Sequence, residues 1–508
     1  MSERSTHREG TEVSRSEITG PQVRPAALRP APRVGKAWRE RAQWVVRGVG
    51  PPTVAIGVPG GDDAVSQRHA RAVIDLALRI GEAMLSTGSS TAEVVATVLR
   101  LIAAYEIRSA HVDITFTSIT VSIHRGLHED PMSVMRVVKV RSPDYTRLEE
   151  VQRLVDDIAA SGEQDRDPDD IDRARRRLDR VLSAPHPYRR WVVTAGAALL
   201  AGAVVALFGS APGMWVVAAL SAALVDRVQR ALSRAGIAAF FNQAVSAAIP
   251  TSVAAGLYWL ESQGVDVPGV HSPSLVVIAG IIVLLAGLGV MGAAQDALDG
   301  YYVTAGARGL EVLAMTAGIA VGISCVLGLA QRLGVPMELS PYVSLGGTGA
   351  PLTGTIAAML VAAGFAMSTY TGPRATLVAM GVAGVAWVVF ELVTLLAFGI
   401  PAAVAAAASV VGALGYAVHR RLRVPELAIA TAGIVSMLPG LAVYRALYLM
   451  MEDSAALVGS ALIELGSAVA IGLGLAAGLS IGGYLARRRF GLDAAALRAT
   501  RRSRGHYR

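Results

Sequence analysis

Three acidic side chains interrupt otherwise apolar runs. Glu391 lies in VAWVVFELVTLLAFG, with no other charge between Ala375 and Ile400. A charged group at the centre of a bilayer costs about 2.5–3.5 kcal/mol on insertion scales, so it must be partnered or protonated. Taking up and releasing a proton is the chemistry of ion coupling, and Glu391 is the first candidate for it. Glu464 and Glu311 are the others, although Glu311 reads as opening its helix beside Arg308, where a carboxylate also complements the helix dipole. Arg445 offers a guanidinium for a carboxylate, with an ion pair to Glu391 or Glu464 as the plainer alternative. In GAAQDALDGYY, Gln295, Asp296 and Asp299 could meet an ammonium group, and Asp296 is the favoured one. Asn242 and Gln243 precede Pro250 much as Glu391 and Thr394 precede Pro401, which places polar groups at similar depth in paired helices. An interhelical hydrogen bond of about 0.6 kcal/mol is the alternative there.

Backbone groups form a second set of candidates. LLAGLG around Gly287, and MLPGLA with Pro439 and Gly440, each place helix breakers inside an apolar run. Proline removes a donor and clashes with the preceding turn, and glycine costs helix stability. The resulting free N–H and C=O groups are tolerated at membrane depth only where they line a cavity or bind something. Paired interruptions in two halves of a chain point to a substrate site.

Other chemistries find less support. His111 and Asp113 share one face of a strand, and His124, His128, Glu129 and Asp130 follow nearby, but no spacing is diagnostic of a metal and a solvated sheet face explains the pattern. GTGAPLTGT at Gly347 to Thr355 lacks the GK[ST] ending of a phosphate-binding loop, so ATP-driven transport by this chain is not expected. A single cysteine, Cys325, excludes an internal disulfide. Of 47 basic residues only Lys36 and Lys139 are lysines, and the net charge of +8 is not read as nucleic-acid binding. Nothing calls for a cofactor.

The elements that must position these groups follow from composition. The 508 residues are 53% hydrophobic and 17% charged, with a mean hydropathy of +0.47, but the charge is unevenly spread. Residues 191–486 hold 22 charged side chains in 296 positions, and the other 212 positions hold 64. The C-terminal part therefore belongs in lipid, because apolar runs of about 18 or more match the hydrocarbon core. Ten spans are expected, near 190–208, 214–226, 237–260, 273–293, 309–330, 351–371, 375–397, 400–418, 426–449 and 456–486, the second extending amphipathically through Arg227 and Arg230. Arginine in the short loops falls mostly on one side, from Arg189 and Arg190 to Arg487–Arg489, with Arg332 and at most Arg445 on the other. The positive-inside rule then puts both termini in the cytoplasm. MSERSTHREG has no apolar h-region, so insertion is expected to use the internal spans.

Before the spans, residues 1–65 are Arg- and Pro-rich and expected to be disordered, and residues 66–185 read as a small cytoplasmic α+β domain. Val73–Leu85 has helical spacing and ends at Gly88. Ser90 and Glu93 have capping-box spacing before VVATVLRLIAAY. His111–Gly126 and Ser133–Arg141 alternate as strands. Charged helices near Tyr145–Ala160 and Pro168–Leu182 close the domain, and residues 489–508 form a basic tail.

AGIIVLLAGLGV (Ala279–Val290) and AGIVSMLPGLAV (Ala432–Val443) match at seven of twelve positions, 153 residues apart. Glu311 falls on Glu464 at the same offset, and IPTSVAA from Ile249 on IPAAVAA from Ile400 at 151. Collinear matches argue for duplication into residues 186–332 and 333–488. Five spans in each copy make the repeat inverted, an architecture of many secondary transporters.

The segments LALRIGEAMLSTGSSTAEV, LLAGLGVMGAAQDALDGYYVTAGAR and VPELAIATAGIVSMLPGLAVYRAL, with the five-plus-five layout, resemble the threonine/serine exporter family of bacterial inner-membrane transporters over about residues 70–486. The resemblance implies efflux of small hydroxy amino acids driven by the proton motive force. It carries over Gly287, Gln295, Asp296, Pro439 and Gly440 as motif positions without assigning each a role.

The expected protein is thus a polytopic α-helical exporter in the bacterial cytoplasmic membrane, with ten helices in two inverted repeats. Its partners are a small amino acid, protons and the bilayer, and the sequence leaves homo-oligomerisation open. Candidate substrate contacts are Asn242, Gln243, Gly287, Gln295, Asp296, Pro439, Gly440 and Arg445; candidate coupling groups are Glu391, Glu464 and Glu311. A membrane-anchored enzyme or sensor acting through the soluble domain is the alternative from another class, and a passive channel is the third.

Overall fold

The computed structural model describes residues 67–107, 109–124, 131–138, 143–160, 170–265, 267–284, 287–335, 351–422, 424–451 and 455–490. The N-terminal tail, His128, Glu129, Asp130, the 161–169 linker, Gly347–Ala350 and the basic C-terminal tail lie outside the described residues.

The N-terminal domain builds its core from two helices laid on a small sheet. Helix α1 (Gln67–Thr87) buries Val73, Ile74, Ala77, Ile80 and Met84 on one face. It stops at Gly88, whose φ of +99° suits glycine; the Gly88 N–H donates to the Leu85 carbonyl and the Ser89 N–H to that of Met84, a Schellman end. Helix α2 (Thr91–Ala104) starts two residues later, its first turn capped by Ser90 Oγ, which accepts from the Glu93 N–H at 3.3 Å. Both helix ends fall where their cap residues put them.

Strands β1 (Ala110–Thr115), β2 (Ser118–Ile123) and β3 (Met132–Val137) form an antiparallel sheet in that order. Val112, Ile114, Ile119, Val121 and Ile123 turn inward, and His111 and Asp113 are exposed. The single long strand expected from 111 is instead a hairpin. Its tight turn places Phe116 at φ +52°, with no glycine or asparagine to announce it. The fixing contact is distant in sequence: the Phe116 N–H donates to Thr304 Oγ1 at 3.1 Å, and that hydroxyl donates to the Ile114 carbonyl. Helices α3 (Tyr145–Ala160) and α4 (Asp170–Ser183) complete the domain.

The remainder is helical: α5 (Arg190–Leu207), α6 (Pro212–Arg234), α7 (Ala239–Ser262), α8 (Ser274–Leu284), α9 (Gly287–Leu298), α10 (Tyr302–Arg332), α11 (Pro351–Ser368), α12 (Pro373–Leu395), α13 (Ile400–Leu422), α14 (Glu426–Ile434), α15 (Gly440–Met451) and α16 (Ala455–Phe490). Five of these are long and apolar enough to cross a membrane, or seven if each of the two bent pairs, α8 with α9 and α14 with α15, is one span. The protein is a polytopic α-helical membrane protein. Helix α6 continues past its apolar part as expected, because Asp226 pairs with Arg230 and accepts from Thr194 Oγ1 at 2.7 Å, so that its charges are satisfied locally.

The second set of helices packs as the first does. Substituting α11 for α5, and so on to α16 for α10, maps the neighbours α5–α6, α6–α7, α7–α8, α7–α10 and α9–α10 onto neighbours in the second set. The closest packing is between glycines and backbone. Gly318 and Gly322 of α10 sit on the carbonyls of Phe240 and Ala244 in α7, and Gly474 and Gly478 of α16 sit on those of Pro401 and Ala405 in α13. Small residues let membrane helices approach in this way.

The helix bounds correct part of the sequence register. Pro250 lies inside α7 whereas Pro401 opens α13, so the IPTSVAA and IPAAVAA segments are not equivalent in place. Nor do Asn242 and Gln243 match Glu391 and Thr394, which lie on α12; that helix ends at Leu395, and Ala397 takes φ +60° before α13. Glu311 is in the third turn of α10, which begins at Tyr302, so it does not open the helix.

Candidate substrate site at the second helix break

Between α14 and α15 the chain passes through a 3-10 turn, Val435–Met437, an extended Leu438 and Pro439 before helix resumes at Gly440, with a bend of 46°. Proline here ends the ladder of the preceding helix. Gly440 is required by a close approach: a Cβ there would strike Ile282 of α8, whose Cδ1 would lie at 3.3 Å. The second break therefore packs against the helix that leads into the first. At that first break, the Leu284 carbonyl that closes α8 accepts from Gln243 Nε2 at 3.2 Å, so a backbone acceptor released by the interruption is satisfied by a side chain of α7.

A cavity of about 80 Å³ opens beside the second break, between α5, α8, α12, α13, α15 and α16. This is several times the roughly 10–15 Å³ that admits one water. Ser436, Pro439, Arg445, Glu464 and Ser467 supply polar atoms or the break itself to an otherwise apolar wall that includes Trp387 and Phe390. Arg445 Nη1 and Glu464 Oε1 are 3.9 Å apart, and both are half-buried. The indole of Trp387, almost wholly buried, connects the cavity to Glu391: its Nε1–H donates to Glu391 Oε1 at 2.8 Å. Gly354 of α11 leaves the space for that pair, since a Cβ there would meet Trp387 Nε1 at 2.8 Å and Glu391 Oε1 at 3.0 Å.

Of the residues singled out in the sequence, Pro439, Arg445 and Glu464 thus line one cavity, Gly440 lies at its break, and Glu391 is one side chain away. The others lie elsewhere. Asn242 donates to Ser233 Oγ at 2.9 Å, and Gln243 serves the first break. Gln295 is half-buried on α9, and Gly287 opens that helix. Glu311 lies on α10 and does not line the cavity.

Asp296 is fully buried where α9 meets the N-terminal domain. Its Oδ1 accepts from the Thr91 N–H at 3.1 Å and its Oδ2 lies 2.8 Å from Arg308 Nη1. Arg308 passes across Gly292 to make that ion pair, its Nη1 lying 3.2 Å from where a Cβ would stand. The same joint continues to the second set of helices. The Tyr145 N–H donates to the Thr369 carbonyl at 3.1 Å, Tyr188 donates to that of Thr371 at 3.0 Å, and His186 stacks on Tyr370 at 4.3 Å. The Tyr145 hydroxyl, pushed up to about 12 by burial, hydrogen-bonds with Thr431 of α14. Desolvation pushes the Glu93 carboxyl up to about 7, and the neighbouring Glu426 adds to the rise, against Arg487, the Gln152 amide and Arg100. Asp299, in the turn after α9, is raised to about 6 by burial and by Asp296, with Arg487 opposing.

Two residues of this geometry were not singled out in the sequence. Trp387 carries no local sign of its bond to Glu391 beyond the i, i+4 spacing. Ser436 stands within the repeated segment at the position where the first copy has Val283, and that exchange of an apolar residue for a polar one beside a helix breaker was the available signal. His111 and Asp113 remain on the exposed sheet face, where Thr115 Oγ1 donates to Asp113 Oδ2 at 3.2 Å. Among the described residues no group of three or more His, Cys, Asp or Glu is placed to hold a metal ion.

Comparison with known proteins places the chain among transporters. A family model described as "Putative threonine/serine exporter" matches residues 75–330, and one described as "Threonine/Serine exporter, ThrE" matches residues 354–482. A Mycobacterium tuberculosis protein named "Probable threonine/serine exporter" is 38% identical over 430 residues, covering 83% of this chain and 78% of that protein. A Corynebacterium glutamicum "Threonine/serine exporter" is 32% identical over 428 residues, covering 84% and 85%. No solved structure matches.

Proposed function

The chain belongs to the threonine/serine exporter family, and from that premise we propose that it exports small hydroxy amino acids from the cytoplasm by proton antiport across the bacterial cytoplasmic membrane. Its activity is transport, not catalysis. In this reading α5–α10 and α11–α16 are two five-span repeats of opposite sense, each with its fourth span broken, and the α+β domain and both termini face the cytoplasm. The two family models divide the chain between residues 330 and 354, where this reading places the junction of the repeats.

The observation that carries the proposal is the cavity at the Pro439 break, which brings a guanidinium and a carboxylate together in an apolar wall. A zwitterion needs both. Its carboxylate would replace Glu464 beside Arg445, near the positive end of α15, and its ammonium would face Glu464. Desolvated charges are held only where both find partners, which favours an amino acid over either a plain acid or a plain amine. Glu391, bonded to the cavity wall through Trp387, is the group assigned to proton coupling. Gly287, Gly440 and Gln243 are assigned to shaping the two breaks, Asn242 to the α6–α7 contact, and Gln295, Asp296 and Glu311 to the surrounding helices and the domain joint.

The test is uptake of labelled threonine and serine into liposomes holding the purified protein, with and without an imposed pH gradient, against unlabelled amino acids as competitors. Gradient-driven accumulation blocked by unlabelled threonine is expected. Equilibration without accumulation would replace antiport by a passive pathway. No movement of any hydroxy amino acid by folded, inserted protein would overturn the reading.

A further inference from the structure

Hydroxyls within the apolar helices are mostly satisfied by their own backbone. Thr251, Thr316, Ser324, Thr394, Ser409 and Thr431 each donate to the carbonyl four residues back at 2.8 Å. This is the ordinary way in which serine and threonine are accommodated in a helix. Ser436 departs from it. Its Oγ is buried and has no hydrogen-bond partner among the described residues. The reason is local: Ser436 lies in the 3-10 turn of the break, and the chain after it is extended at Leu438, so the α-helical ladder that serves Thr431 has ended.

A buried hydroxyl without a partner is costly, and Ser436 is one of the residues that line the cavity holding Arg445 and Glu464. Ser221 and Ser480 also lack a partner among the described residues, but neither lines that cavity. The first break has Val283 at the matching position, 153 residues earlier, so helix interruption alone does not require a hydroxyl here. We propose that Ser436 reads the β-hydroxyl of the transported amino acid and makes the cavity select hydroxy amino acids over their apolar isosteres.

This rests on the cavity being the substrate site. There Arg445 and Glu464 fix the two charges on the α-carbon, and the side chain of the substrate is left to the wall beside the break. A hydroxyl donates once and accepts twice, so Ser436 pairs with serine or threonine in either sense. Valine differs from threonine by a methyl in place of that hydroxyl. An apolar pocket separates such isosteres poorly, whereas a pocket with a polar group left unpaired by the wrong one separates them well.

The experiment compares wild type with Ser436→Ala and Ser436→Thr, full length in liposomes, by inhibition of labelled threonine uptake with unlabelled threonine, serine, valine and alanine. Wild type and Ser436→Thr should prefer threonine over valine and serine over alanine. In Ser436→Ala both ratios should fall about tenfold, the worth of one hydrogen bond. Where a variant transports too slowly, the same ratios are read from thermal stabilisation of the purified protein by threonine and by valine. If Ser436→Ala does not fold, Ser436→Cys, similar in size but a weak hydrogen-bonding group, takes its place. Unchanged ratios in the variant, or a wild type that treats threonine and valine alike, overturn the role of Ser436 and leave the exporter reading standing. A wild type that moves no hydroxy amino acid overturns both.

Discussion

Asp296 Oδ1 accepts a hydrogen bond from the backbone N–H of Thr91 at 3.1 Å, so a carboxylate near the end of a broken helix caps the first turn of a helix in the N-terminal domain. The carboxylate complements the positive end of α2 while its other oxygen holds Arg308. The domain is tied to α10 through Thr304, to the α11–α12 turn through Thr369 and Thr371, and to α14 through Thr431. In the transport cycle proposed above, movement of one set of helices against the other would strain this joint.

Asp296→Asn should therefore weaken the joint more than a surface change would. Arg308, only 7% exposed, would keep its charge and lose the Asp296 carboxylate. Breaking one side of a buried pair costs about 3–5 kcal/mol. The expected result is a lower Tm. Adding Arg308→Gln should recover part of the loss, because no charge is then stranded; a double variant worse than the sum of the singles would refute the pairing.

Glu93 gives the same joint a pH dependence. Its carboxyl is raised from 4.5 to about 7 in the folded protein, so folding favours the protonated form. The contribution is fully present below about pH 4.5 and is lost as pH rises through about 7. Glu426, Arg487, Arg100 and the Gln152 amide are the groups around it. Thermal unfolding between pH 5 and 8 should show stability falling with rising pH, less steeply in Glu93→Gln. Equal slopes in the two proteins would remove Glu93 as the source.

Gly440→Ala tests whether the two breaks must touch. The added methyl would meet Ile282, and overpacking of this kind costs about 1–3 kcal/mol. Transport should drop, and Ile282→Ala in the same chain should restore much of it by returning the space. Loss of transport that Ile282→Ala does not relieve would point to the backbone conformation at Gly440 and not to the contact.

How much of this was legible in the sequence depends on the range of the cause. The ends of α1 and α2 follow from Gly88 and Ser90, and the second break from Pro439, because each is dictated by neighbours in the chain. The duplicated break was visible for the same reason. The register of the repeats outside it was not: Pro250 lies inside α7 whereas Pro401 opens α13, and abundant Ala and Gly supply false matches such as Ile249 with Ile400. The hairpin at Phe116 and the partners of Asp296 were hidden because Thr304 and Thr91 are about 190 and 205 residues away. Buried charge in an apolar run signals that a partner exists but does not name it.

Glu391 is where the coupling reading is most exposed to test. Its Oε1 accepts from the Trp387 indole, and an indole N–H can only donate. The bond is charge-assisted when Glu391 is ionised and weaker when it is protonated. Proton uptake would therefore loosen an aromatic side chain that forms part of the cavity wall, and the change would reach the substrate without any direct contact to it. Glu391→Gln keeps an acceptor for the indole but cannot titrate, so the fold and the cavity should survive. The variant should still exchange labelled for unlabelled threonine across the membrane, while accumulation driven by a pH gradient falls to the level seen without one. Accumulation equal to wild type would show that the coupling proton binds elsewhere, and Glu464, already inside the cavity beside Arg445, would be the next residue to neutralise.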